Sequence, residues 1–116
     1  MADTTTPLAH SSAPCLEIAV YSVRESEADA FPQLQAAMHV ALQDLPGFIA
    51  SERLRGVNTP TLFADYIHWA SRAAAEAAAA QMATLPDGAA FVGAIETMRT
   101  FAHLPLGDPS GNTSAS

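Results

Sequence analysis

Few side chains in this sequence have the type and spacing for chemistry, and most of them fall between residues 65 and 69. Tyr66 and His68 lie two apart in LFADYIHW, and residues two apart on an extended strand share a face. An imidazole moves protons near neutral pH, and a phenol donates to an oxyanion. His68 as base and Tyr66 as orienting donor would suit deprotonation of a phenolic or enolic molecule. Asp65 alternates to the opposite face with Phe63, Ile67 and Trp69, and is the acid–base candidate if a pocket lies there. Trp69, the single tryptophan, could wall such a pocket and stack on a flat aromatic substrate. Arg99 stands among alternating apolar residues in a chain with only five Lys plus Arg. It is a candidate for holding an anionic substrate group, or for pairing with Glu17 or Asp65 across a sheet. Each has a plainer role as well: Trp69 closing the core, Tyr66 and His68 lining a dimer face or solvent edge, Arg99 in a structural ion pair. The sequence leaves open which face holds a pocket.

The remaining residues exclude more than they suggest. Cys15 is alone, which removes an internal disulfide and any cysteine-rich metal site; it reads as a small buried hydrophobe in a reducing compartment. Asp65, His68 and His103 would make a metal site only if their strands converged, and no close ligand pair such as H-x-x-x-H occurs. Phosphate loops, dinucleotide fingerprints and G-x-S-x-G elbows are missing too, so no cofactor is expected. A formal net charge of −7 argues against a nucleic-acid partner, which needs cations to displace counterions. No run approaches the roughly 20 apolar residues that span a bilayer. The start, MADTTTPLAHSS, lacks the basic and apolar regions of a secretory signal, and the expectation is a cytoplasmic protein without a membrane partner.

The elements that must position these residues follow from periodicity. Residues 1–14 and 105–116 are rich in Ser, Thr, Ala, Pro and Gly, and read as disordered tails around one domain at 15–104. CLEIAVYSV, residues 15–23, reads as a strand with Leu16, Ile18 and Val20 on one face and Glu17, Ala19 and Tyr21 on the other. Phe31, Leu34, Met38, Ala41, Leu42 and Leu45 form a helical stripe that ends at Pro46-Gly47. Asp29 is the expected cap, with Pro32 inside the first turn. His39 flanks this stripe and reads as solvated; His10 lies in the N-terminal tail. Residues 48–55 and 61–69 read as a hairpin about the turn Gly56–Pro60. Ser71 should cap a second helix through RAAAEAAAAQMATL, since alanine is the best helix former. Its small side chains permit close packing on a sheet, or a pocket roofed by Ala74, Ala77 and Ala78. Pro86-Asp87-Gly88 should end it, with one short helical turn at 89–93 before a last strand over 95–104. On that strand Ile95, Thr97, Arg99, Phe101 and His103 should share a face, with Glu96 on the other.

The order β-α-β-β-α-β predicts an α+β, ferredoxin-like fold, a four-stranded antiparallel sheet with two helices on one face. No third layer is available for the other face, so a second copy is the expected cover, giving a homodimer through the sheet.

An amphipathic helix followed by Leu45-Pro46-Gly47-Phe48, and a strand closing on Trp69-Ala70-Ser71 before an alanine-rich helix, resemble the antibiotic-biosynthesis-monooxygenase-like domains. These belong to the dimeric α+β barrel superfamily, as do the similar stress-responsive dimeric α/β-barrel proteins. The resemblance spans residues 15–104. It implies a dimer of facing sheets, a ligand pocket between sheet and helices, and a cofactor-independent monooxygenase-like activity on a small flat aromatic, phenolic or quinone-type molecule. Its alternative is a non-enzymatic homodimer that binds a small ligand or serves a stress response. The haem-degrading members use a Trp at the end of strand three, a His on the next helix and an Asn in strand one. Trp69 matches the first, but residues 73–80 hold no His and residues 15–23 no Asn, so haem degradation is not expected.

Overall fold

A computed structural model describes residues 13–106. Its first strand, β1, spans Cys15–Val23, followed by a 3₁₀ turn at Glu25–Glu27 and helix α1 at Phe31–Leu42. Strands β2 (Phe48–Arg55) and β3 (Leu62–Trp69) form the hairpin. Helices α2 (Arg72–Met82) and α3 (Pro86–Ala94) precede the last strand, β4 (Ile95–Pro105). The sheet is antiparallel with order β2-β3-β1-β4, the ferredoxin-like arrangement expected. β4 runs one residue further than expected, and the Leu106 N–H bonds back to the Pro14 carbonyl at 2.9 Å. The tails expected at 1–14 and 105–116, with His10, otherwise lie outside the described residues.

Local chemistry explains most element ends. Gly47 takes the left-handed conformation, φ 84°, which a Cβ disfavours. A Cβ there would also run into the Ala74 side chain, so Gly47 both turns the chain and lets α2 sit close to the sheet. Ser71 caps α2 as expected, its hydroxyl accepting the Ala74 N–H at 3.0 Å.

Two expectations about the helices need correction. Asp29 does not cap α1: Ala30 holds the cap position with no side-chain bond, because the 3₁₀ turn carries the chain into the helix. Pro32 does fall in the first turn. Pro86-Asp87-Gly88 opens a nine-residue helix rather than merely ending α2; Pro tolerates a first turn because its missing N–H has no partner there. Of the two arrangements open to α2, close packing agrees with the burial of Ala75, Ala78 and Met82, whereas Ala77, one of the three residues of the alternative roof, is exposed.

The core lies between the sheet and the helices. Tyr21, Phe31, Phe63 and Phe91 meet edge-on or tilted, with centroids 4.7–5.8 Å apart, a favoured geometry for aromatic quadrupoles. The opposite face of the sheet carries Leu16, Ile18, Val20, Leu54 and Tyr66 with no covering layer among the described residues.

Candidate active site

Strand alternation sorts the candidates between two faces. Tyr66 is 38% exposed and His68 pairs with Leu16, both on the open face. Asp65 and Trp69 turn inward, each nearly inaccessible. The structure therefore separates the Tyr66–His68 pair from the Asp65–Trp69 pair by the thickness of the sheet.

Arg99 does not join the inward pair. A bulge in the β1–β4 register between Val20 and Tyr21 leaves Thr97 opposite Ser22 but Phe101 opposite Ala19. The expected single face on β4 is thus divided: Phe101 and His103 share the helix side with Ala19 and Glu17, while Arg99 Nε donates to Ser22 Oγ at 2.9 Å. A bulge inserts a residue and resets the alternation, which no pattern of types in the strand announces.

Beneath α1 lies a buried polar cluster built on Asp65. Tyr21 donates its hydroxyl to Asp65 Oδ2 at 2.7 Å, and Gln35 Nε2 donates to Oδ1 at 2.9 Å. His39 Nε2 meets the same Oδ1 at 2.7 Å, while its Nδ1 lies 2.8 Å from Ser51 Oγ. His39 is thus buried rather than solvated. The apolar stripe misplaced it, because the face α1 buries runs through Phe31, Gln35, Met38, His39 and Leu42. An inward carboxylate in a low-dielectric layer requires donors, and Gln35 and His39, four apart on one helix face, supply them. That spacing, opposite an aspartate among Phe63, Ile67 and Trp69, was the signal available. Burial and the adjoining Asp65 charge push the Tyr21 phenol far above its ordinary range, so Tyr21 remains a donor.

A second cluster lies where β1 pairs with β3 on one side and β4 on the other. The Trp69 indole N–H donates to Glu17 Oε1 at 3.0 Å, and the Trp69 ring meets Phe48 edge-on. His103 approaches Glu17 from β4, its Nε2 3.4 Å from the same oxygen. That is close enough for attraction between charges but poorly aligned for a hydrogen bond, and His103 Nε2 has no hydrogen-bond partner among the described residues. Phe101 packs edge-on to the His103 ring at 5.2 Å. The Glu17 and His103 side chains keep 14% and 17% of their surface, although His103 Nε2 itself is buried. Desolvation raises the Glu17 carboxyl above its ordinary value against the lowering effects of Trp69 and His103. Burial likewise raises the Cys15 thiol, which makes it unreactive. From the sequence, Glu17 stands out only as an ion-pair partner for Arg99.

Among the described residues, no group of three or more His, Cys, Asp or Glu is arranged to hold a metal ion. A cleft of about 570 Å³ opens elsewhere, lined by Val23, Glu25, Ala28, Asp29, Pro60, Thr61 and Glu96, away from both clusters.

A family model described as antibiotic biosynthesis monooxygenase matches residues 14–83, a span that includes Glu17, Tyr21, Asp65 and Trp69. The chain belongs to the antibiotic biosynthesis monooxygenase family. No curated protein matches it. The fold of this family member is shared with SnoaB, a cofactor-independent oxygenase from Streptomyces nogalater, at 20% identity and TM-score 0.64 over 78% of this chain and 88% of that one. A candidate antibiotic biosynthesis monooxygenase from Nitrosomonas europaea superposes with TM-score 0.68 at 18% identity, over 84% and 94% of the chains. A conserved protein from Methanosarcina mazei gives TM-score 0.65 at 9% identity, over 84% and 97%. Identities this low carry the fold alone.

Proposed function

We propose that this member of the monooxygenase family is a cofactor-independent oxygenase acting on a small flat phenolic or quinol-type molecule at the helix-side margin of the sheet. The observation that carries this reading is the Glu17 carboxylate, raised by burial and seated beside the unpartnered His103 Nε2. A base poised above the ordinary carboxylate range suits removal of a weakly acidic proton. Asp65 already accepts three donors, so it holds the deep cluster in place and Glu17 does the proton transfer. Trp69 fixes the Glu17 carboxylate, and Phe101 offers a partly exposed ring for stacking.

For an anthrone-like substrate, Glu17 removes a proton from the activated methylene. The carbanion adds dioxygen to give a peroxide, which takes up a proton. Loss of water then leaves a new carbonyl, so one dioxygen is consumed and one water formed. His103 Nε2, buried 3.4 Å from Glu17 Oε1, acts on the charge of the base rather than on the substrate. SnoaB, named a cofactor-independent oxygenase, supports this reading through the shared fold. We further propose that two copies pair through the open sheet face, with Tyr66 and His68 in that contact.

Oxygen uptake with anthrone or a quinol tests the activity. Glu17→Gln should lower the rate about 100-fold, the usual scale for a lost general base. No uptake with either substrate would overturn the reading, as would full activity in Glu17→Gln together with loss in His68→Ala. A second reading, a homodimer that binds a small apolar molecule without turnover, draws on the apolar side chains of the open sheet face, Leu16, Ile18 and Val20. Saturable binding of anthrone without oxygen uptake would favour it.

A further inference from the structure

The deep cluster contains an arrangement that the proposed oxygenase chemistry does not use. Asp65 Oδ1 accepts from Gln35, and its Oδ2 accepts from Tyr21, so the carboxylate is oriented from both sides. Its remaining close neighbour is His39 Nε2 at 2.7 Å. A carboxylate only accepts, so Nε2 carries a proton, and in the neutral form of the ring Nδ1 presents a lone pair. The group at Nδ1 is the Ser51 hydroxyl, 2.8 Å away, which donates into the ring when the imidazole is in that form. Ser51 is half-buried on β2, while His39 and Asp65 are buried.

We propose that Ser51, His39 and Asp65 form a hydroxyl–imidazole–carboxylate triad in which Ser51 Oγ is an activated nucleophile toward small acyl esters. A nucleophile bonded to a base that a third group orients is what defines such a site, whichever ring nitrogen faces the serine. β2 is an edge strand, and successive residues of a strand point their N–H groups alternately toward and away from the partner. Either Ser51 or Glu52 thus presents a free edge N–H beside the hydroxyl, a donor for a developing oxyanion.

In the acylation step Ser51 Oγ forms a bond to the ester carbonyl carbon and its proton passes to His39 Nδ1. The carbon–alkoxide bond breaks, and the leaving oxygen takes the proton from His39. Water then repeats the sequence, releasing the acid and restoring Ser51. No electrons are gained or lost.

The test treats the folded full chain with an aryl acetate and, separately, with an alkyl fluorophosphonate, reading aryl alcohol release and intact mass. The expected result is one adduct per chain, mapped to Ser51 and absent in Ser51→Ala, with labelling about 100-fold slower in His39→Asn. Ser51→Ala removes one half-buried oxygen and leaves the fold in place, so a disrupted core cannot mimic the result. An adduct that persists in Ser51→Ala overturns the proposal. So does the lack of any adduct on the wild-type chain at a thousandfold excess of fluorophosphonate. Neither result bears on oxygen uptake at Glu17.

Discussion

Glu17 and Asp65 are both inward carboxylates, yet their surroundings give them opposite character. Asp65 receives three hydrogen bonds and is compensated, whereas Glu17 receives one from Trp69 and is raised mainly by desolvation. A carboxyl raised in the folded state binds its proton more tightly there than in the unfolded chain. Its ionisation therefore costs stability progressively as pH climbs from the ordinary 4.5 through the raised value. Glu17→Gln, which keeps an acceptor for the indole, should be more stable than wild type at pH 7. The advantage should vanish below pH 4.5, and thermal melts across that range check it. Asp65→Asn should destabilise by about 3 kcal/mol, because an amide nitrogen would face donors that need an acceptor; urea titration measures this. Cys15, buried and raised, should resist iodoacetamide in the native chain and react once the chain is unfolded.

At the scale of elements, the contact between the β2 entrance and α2 depends on one missing side chain. Gly47→Ala would impose a left-handed alanine and press its Cβ on Ala74. The expected cost is about 2–3 kcal/mol from strain and overpacking together, read as a lower urea midpoint at unchanged slope. Ser71→Ala, which removes the cap of the same helix, should cost about 1 kcal/mol. The bulge in β4 acts at this scale too. By resetting the alternation it sends Arg99 to Ser22 on the open face and leaves Phe101 and His103 beside Glu17.

For the molecule as a whole, helices cover one face of the sheet, and Leu16, Ile18, Val20, Leu54 and Tyr66 remain on the other. Covering that face with a second copy would remove a contiguous apolar patch from water. Sedimentation equilibrium should give twice the 12.1 kDa of one chain. Tyr66→Glu should return it toward the monomer, since two like charges would meet across a symmetric contact. A monomer in the wild type at 100-fold higher concentration than the variant would count against the pairing.

The order of elements, the alternation of β1 and β3, the Ser71 cap and the Gly47 turn were legible in the sequence because each depends on local chemistry. So was the placement of Asp65 with Trp69, since strand alternation has a period of two. Tertiary structure decided what local rules do not carry. It buried Gln35 and His39, which an apolar stripe cannot register as interior. It divided β4 at a bulge, and it selected the helix side for Glu17, Trp69 and His103. Those three come from strands far apart in sequence, and only the pairing of β1 with both β3 and β4 brings a glutamate, an indole and an imidazole to one margin. The raised carboxyl on which the proposed chemistry rests is a consequence of that burial, not of residue type.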